Sequence, residues 1–148
     1  MDISIKHFNE LTTIELYQIL QLRSEVFVVE QHVIAPDCDN KDLDAYHLQI
    51  REAGQLIGYC RILNKGVSYT SYSIGRVVIA QAARGKKLGY QLIKDAINFV
   101  EQHWNGDCIT ISAQAHLTEF YGLNGFVAIS EPYIEDSLPH IKMQWNKS

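Results

Sequence analysis

The sequence predicts a mixed α/β (α+β) fold. Three observations point to it: short alternating or β-branched stretches through the first half, one long amphipathic helix after residue 87, and apolar strand-like stretches directly before and after that helix. The chain has 148 residues, 47% of them hydrophobic, which is enough to bury the core of one ordinary domain. No internal repeat, low-complexity tract or Pro/Gly/Ser-rich linker divides it, so residues 1–148 are expected to form one domain.

Taken in order, residues 3–8 alternate as a short strand does, and Thr12-Thr13-Ile14-Glu15 matches a capping box at a helix start. Leu16, Ile19, Leu20, Val26 and Phe27 then recur at helical spacing, which predicts an amphipathic helix to about residue 29. Arg23 lies four residues from both Ile19 and Phe27, and Glu30 lies seven after Arg23, so both are expected to face the interior. An acidic, helix-breaking loop follows over 36–44. Residues 46–51 and 56–63 read as strands joined by a hairpin turn at Ala53-Gly54-Gln55, and 73–79 as a third, β-branched strand. Leu88, Leu92, Ile93, Ala96, Ile97, Val100 and Trp104 keep one helical face. The remainder reads as strand 108–113, short helix 117–123, strand 126–130 and strand 140–145, giving a strand-helix-strand crossover at the centre.

Charge and cysteine content narrow the function. Acidic residues outnumber basic ones, 17 to 13, and no long basic run exists, so broad nucleic-acid binding is not expected. Cys38, Cys60 and Cys108 stand far apart with no CxxC, which suits a reducing compartment. The N-terminus lacks a basic start with an apolar core, and no apolar run reaches membrane-spanning length, so a soluble cytoplasmic protein with no membrane partner is expected. Asp37-Cys38-Asp39-Asn40-Lys41-Asp42 begins like an EF-hand. It fails because Lys41 takes a ligand position, Asp42 replaces the turn glycine, and Leu48 stands where the closing Glu belongs. A solvated loop is expected there. His47, His116 and His140 show no HExxH spacing, and no metal is expected.

The most informative stretch is 74–90. An apolar strand runs into a loop with Arg84, Gly85, Lys86 and Lys87, and the loop opens at once into a helix. The first turn of a helix leaves amides without intrachain partners, and its dipole adds positive charge at the same end. Gly85 and Gly89 let backbone approach a phosphate closely, while the three cations supply counter-charge. Neither GxxxxGK[ST] nor GxGxxG is present. A polyanion site competes here with a merely solvated helix start.

Arg84-Gly85-Lys86-Lys87-Leu88-Gly89 resembles the Arg/Gln-x-x-Gly-x-Gly pyrophosphate loop of the GNAT N-acetyltransferase superfamily, with Lys87 where most members carry glycine. The stretch from Ala113 through Tyr121 to Gly125-Phe126 resembles that superfamily's second signature, a tyrosine on a short helix ahead of a Gly-Phe strand start. Leu22-Arg23-Ser24-Glu25-Val26-Phe27-Val28-Val29-Glu30-Gln31, together with Tyr133-Ile134-Glu135-Asp136-Ser137-Leu138-Pro139-His140, resembles its ElaA branch.

The resemblance implies a central mixed, mostly antiparallel sheet of about six to seven strands, splayed at the strands flanking the central helix and with helices on both faces. It implies acetyl-CoA as cosubstrate and a primary amine of a small molecule or a peptide as acceptor, with a non-catalytic acyl-CoA-binding or sensing domain as the alternative. Pantetheine would pair with Val77, Val78 and Ile79 as an added strand does. The pyrophosphate would meet Arg84, Gly85 and the amides of Lys86, Lys87, Leu88, Gly89 and Tyr90. A backbone amide near Val77 or Val78 would hold the oxyanion, and Tyr121 would protonate the leaving thiolate. For the base that deprotonates the amine, Glu30 and His116 are the candidates, against plain pairing of Glu30 with Arg23 and plain helix capping by His116. Arg23, Arg61 and Arg76, with His47 and Gln114, are expected on the acceptor side. Those arginines suit a carboxylate-bearing acceptor, whereas the acidic loop suits a polyamine or a lysine side chain. A homodimer through the C-terminal strands is in keeping with the family.

Overall fold

A computed structural model describes residues Met1–Ser148. The alternating start forms strand β1 (Asp2–His7), and the capping box opens helix α1 (Thr13–Arg23). The Glu15 amide donates to Thr12 Oγ1 at 3.0 Å and the Thr12 amide to Glu15 Oε1 at 2.9 Å, so two orphan donors are satisfied reciprocally. The chain then winds on as a π-helix over Ser24–Glu30. Its i→i+5 bonds include Gln31 N–H to the Val26 carbonyl and Val33 N–H to the Val28 carbonyl, both at 3.1 Å.

This widening corrects one expectation. In an α-helix seven residues make nearly two full turns and return to the same face. The wider π turn advances each residue by a smaller angle, so Glu30 comes out on the solvent side while Arg23 stays wholly buried.

Strands β2 (Tyr46–Glu52) and β3 (Gln55–Leu63) form the expected hairpin, turning on Ala53 and Gly54 with φ of 51° and 80°. Strand β4 (Ser73–Ile79), helix α2 (Leu88–Trp104), strand β5 (Cys108–Gln114), helix α3 (Thr118–Leu123) and strand β6 (Phe126–Ala128) follow as read. Two further features depart from the expectation. A three-residue strand β7 (Tyr133–Glu135) precedes β8 (Leu138–Asn146), and the two are joined at Asp136-Ser137, where both residues take left-handed φ. A two-residue turn of this kind ordinarily carries glycine or asparagine, so its sequence did not announce a hairpin.

The strands make two antiparallel sheets, β1-β2-β3-β4 and β5-β8-β6, with β7 on β8. They touch where Tyr72 bridges Ile109 in parallel and the Thr110 amide donates to the Tyr72 carbonyl at 2.9 Å. Beyond that bridge β4 and β5 have no ladder between them, which is the expected splay.

Side-chain alternation along β3 builds both sides of the first sheet. Cys60 and Ile62 face α2, whose Leu92, Ile93, Ala96 and Val100 are fully buried, each Leu or Ile contributing about 1.5–3 kcal/mol by leaving water. Tyr59 packs on the opposite side, with Val78, against Ile19, Leu22 and Val26. Helices therefore cover both faces, as expected.

Candidate active site

The glycine- and cation-bearing loop forms as its residues dictate. After β4 a single 3-10 turn (Gln81–Ala83) leads to Gly85, at φ 85°, and to Lys87, which caps α2 at φ 60° and ψ 24°. Glycine takes this left-handed conformation freely, whereas a residue with a Cβ loses about 1–2 kcal/mol in it. That is the physical content of the Lys87 departure. Gly89 answers to packing, since a Cβ there would meet the Phe120 ring at 3.1 Å. Ile79, Gly85, Lys87, Gly89, Tyr90 and Phe120 line a hollow at the α2 N-terminus. Arg84 borders it too. Its guanidinium donates to Glu30 Oε2 and Oε1 at 2.9 and 3.1 Å and to the Ile79 carbonyl at 3.1 Å. Glu30 thus pairs with Arg84, not with Arg23, on the rim of the hollow.

Further up β4 the strand bulges. Tyr59 stands opposite Val78 and Arg61 opposite Gly75, so β4 carries one extra residue, and Arg76 takes φ 51° within it. The bulge turns Gly75, Arg76 and Val77 toward a cleft between the diverging strands. Phe27, Val28 and Gln31 of the π-helical turn close one side, and Ile111, Ser112 and Gln114 of β5 the other. Tyr121 also lines the cleft and is only 7% exposed. Burial, with the Cys60 thiol near it, pushes its phenol above the ordinary range, so it is protonated at every working pH. Gln114 donates to Gln31 at 3.3 Å across the cleft. His116 lies outside it, exposed on the turn Ala115–Leu117.

Two groups of expected acceptor residues prove to satisfy each other. Arg23 Nε donates to Asp37 Oδ2 and its Nη1 to Asp42 Oδ1, both at 2.8 Å. Arg61, 4% exposed, donates to Asp39 at 2.8 and 3.0 Å and to Asp42 at 3.0 Å. Arg76 Nε meets Asp37 Oδ1 at 2.8 Å. His47, fully buried, is held between the Tyr59 hydroxyl at 2.6 Å and the Asp42 carbonyl at 3.0 Å. A buried guanidinium must be paired, and the loop supplies the carboxylates. Arg23, Arg61 and His47 are therefore closed off from the cleft, and the acidic loop is no solvated strand of charge. Of the acceptor-side residues expected from sequence, Arg76 and Gln114 reach the cleft.

The cluster sets its own protonation. Burial by itself would raise Asp39 and Asp42, but hydrogen bonds from the arginines outweigh it, bringing Asp39 down to about 2 and holding Asp42 low as well. Burial lowers His47 and keeps it neutral, donating through Nε2 to the Asp42 carbonyl.

Six polar residues of the cleft were not assigned to it from sequence: Gln31, Asp37, Ser112, Glu135, Asp136 and His140. Ser112 Oγ hydrogen-bonds the Tyr133 hydroxyl and donates to Glu135 Oε1 at 3.2 Å. The signal for His140 was present in the last strand. Ile141, Met143 and Trp145 alternate toward the core, which leaves His140 on the opposite face.

Diverging parallel strands, a helix start flanked by Arg84, Lys86 and Lys87 beside them and a buried tyrosine in the cleft are the arrangement of a GNAT-type acyltransferase. The family described as acetyltransferase (GNAT) domain matches residues 17–147, and the chain belongs to it. Within that family the chain is ElaA-like. It is 40% identical to protein ElaA of Escherichia coli K12 over 139 residues, covering 93% of this chain and 91% of that protein. The crystal structure of Escherichia coli ElaA superposes with a TM-score of 0.92 at 38% identity, covering 98% of this chain and 99% of that one. An acyl-CoA N-acyltransferase from Pseudomonas aeruginosa matches with a TM-score of 0.92 at 46% identity, again over 98% and 99%.

Proposed function

We propose that this protein transfers the acetyl group of acetyl-CoA to a primary amine of a small molecule or a peptide, by direct attack in a ternary complex. The observation that carries this reading is the alignment, along one strand, of the β4 bulge, the unpaired 77–79 edge and the α2 N-terminus, with Tyr121 across the cleft. No helix is long and apolar enough to cross a membrane, and all three cysteines are free, in keeping with action in the cytoplasm.

The backbone of Val77, Val78 and Ile79 pairs with the pantetheine amides, and the amides of Lys86, Lys87, Leu88, Gly89 and Tyr90 receive the pyrophosphate. Attack on the thioester carbonyl builds negative charge on oxygen, which a bulge amide at Val77 or Val78 stabilises. Tyr121 serves the leaving sulfur. Its raised phenol is always protonated but is a weaker acid than a thiol, so it acts first as a hydrogen-bond donor to the developing thiolate and gives up its proton late. Replacing Tyr121 by Phe should lower amine-dependent release of CoA thiol by about 10²-fold or more while acetyl-CoA still raises the melting temperature. Unchanged turnover across the pH range would remove Tyr121 from the mechanism.

A further inference from the structure

An amine acceptor with pKa about 10.4 arrives as an ammonium and needs a proton acceptor. Neither residue considered for that role from sequence reaches the cleft: His116 is exposed outside it, and both Glu30 oxygens are held by Arg84. Asp37, Asp39 and Asp42 are bound to arginines, and His47 is sealed behind Tyr59.

Resting on the acetyl-transfer reading, we infer that His140, backed by Glu135, accepts the proton from the acceptor ammonium. The tautomer follows from a hydrogen bond. His140 Nδ1 lies 2.8 Å from the Leu138 carbonyl, which can only accept, so Nδ1 carries the hydrogen and Nε2 of the neutral ring holds the lone pair. The ring is 7% exposed, stacks on Tyr133 and lines the cleft. Glu135 Oε2 stands 3.6 Å from Nε2, too far for a hydrogen bond to the neutral ring and close enough to pair with the imidazolium. Its other oxygen is fixed by Ser112.

The charged and titratable groups around His140 are Glu135 and Tyr133 from β7, Asp136 from the turn, Tyr121 of α3, and Arg76 with Asp37 across the cleft; Lys142, two residues on along β8, lies over the Tyr69 ring and is not part of the cleft lining, while Ser112 and Gln114 of β5 are neutral. Arg76 is matched by Asp37, so Glu135 and Asp136 leave this end of the cleft negative. That charge draws an alkylammonium to the ring which will deprotonate it.

The protons balance. Nε2 takes one proton from R–NH3+ and passes it to solvent. The freed lone pair forms the C–N bond, the C–S bond breaks, and the second proton lost by nitrogen matches the one that Tyr121 gives to sulfur.

Two measurements test the assignment. Long-range proton–nitrogen correlation spectra of the wild-type protein at neutral to alkaline pH should show His140 as the Nδ1–H tautomer. An Nε2–H tautomer overturns the proposal without reference to turnover. With an amine chosen by CoA-thiol release, wild-type kcat/KM should rise with pH and level off well below the amine's own pKa. His140→Gln should lie about 10²-fold lower near pH 7 and climb tenfold per pH unit toward the amine's own pKa, at unchanged acetyl-CoA affinity. Glu135→Gln, on a half-exposed side chain, should lose activity in the same direction. Identical pH profiles in wild type and His140→Gln refute the base while leaving acetyl transfer intact. Absence of amine-dependent release in the wild type sinks acetyl transfer itself, and the base role with it.

Discussion

Asp42→Ala tests whether the acidic loop is a structural element. The Asp42 carboxylate accepts from Arg23 Nη1 at 2.8 Å and from Arg61 Nη1 at 3.0 Å, with its side chain 9% exposed. Removing it takes one of two carboxylate partners from each of two buried guanidinium groups. Taking one partner from a buried ion pair costs about 3–5 kcal/mol. Arg23 keeps Asp37 and Arg61 keeps Asp39, so the low end, about 3 kcal/mol, is expected. That is about a fifth to three fifths of the stability of an ordinary domain, and at about 2–4 °C per kcal/mol it lowers the melting temperature by about 6–12 °C. Urea unfolding at unchanged m-value is the assay. Asp42→Asn, which keeps an accepting oxygen without the charge, should lose less. A loss below about 1 kcal/mol, the range of an exposed pair, would refute the buried-cluster reasoning.

Other outcomes follow from the same geometry. Lys87→Gly relieves a left-handed β-carbon at the α2 cap and should stabilise the protein by up to about 1 kcal/mol, since the gain in the folded state exceeds the glycine's added freedom in the unfolded one; Lys87→Val should destabilise it, and denaturant midpoints of the three proteins check the order. Stability should fall on acidification in two stages. His47, lowered in the fold, stays neutral below pH about 6.5 while the unfolded chain takes up a proton, so stability declines from there. Asp39, about 2 in the fold against about 3.9 unfolded, contributes above pH about 4 and is lost as pH falls toward 2. Melting temperatures from pH 8 to pH 2 check both; a flat profile down to pH 4 would contradict the His47 placement.

Much of the fold was legible because it is written in local chemistry. The Thr12–Glu15 box fixed where α1 begins, the Ala53-Gly54 turn fixed the β2–β3 register, and the apolar face of 88–104 fixed α2. The form of the loop proposed for the pyrophosphate was legible for the same reason, since glycine ahead of a helix start marks a tight turn into it. The π-helical turn was not. Val26, Phe27, Val28 and Val29 suit either winding, and the difference decides whether Glu30 faces the core or the solvent. Nor could sequence show that Arg23, Arg61 and Arg76 would be met by Asp37, Asp39 and Asp42, because those contacts span 14 to 39 residues and close only in the fold. His140 was visible as a histidine, but its role depends on a neighbouring hairpin whose turn lacks glycine.

The central claim is that the β4–β5 cleft joins an acetyl group to an amine. Its most direct test is the release of CoA thiol from acetyl-CoA by the wild-type protein with and without a panel of primary amines and diamines. Release that depends on, and saturates with, at least one amine is the expected result. Acetyl-CoA binding, seen as a rise in melting temperature, with no amine-dependent release would contradict the claim and make the protein a sensor of acyl-CoA.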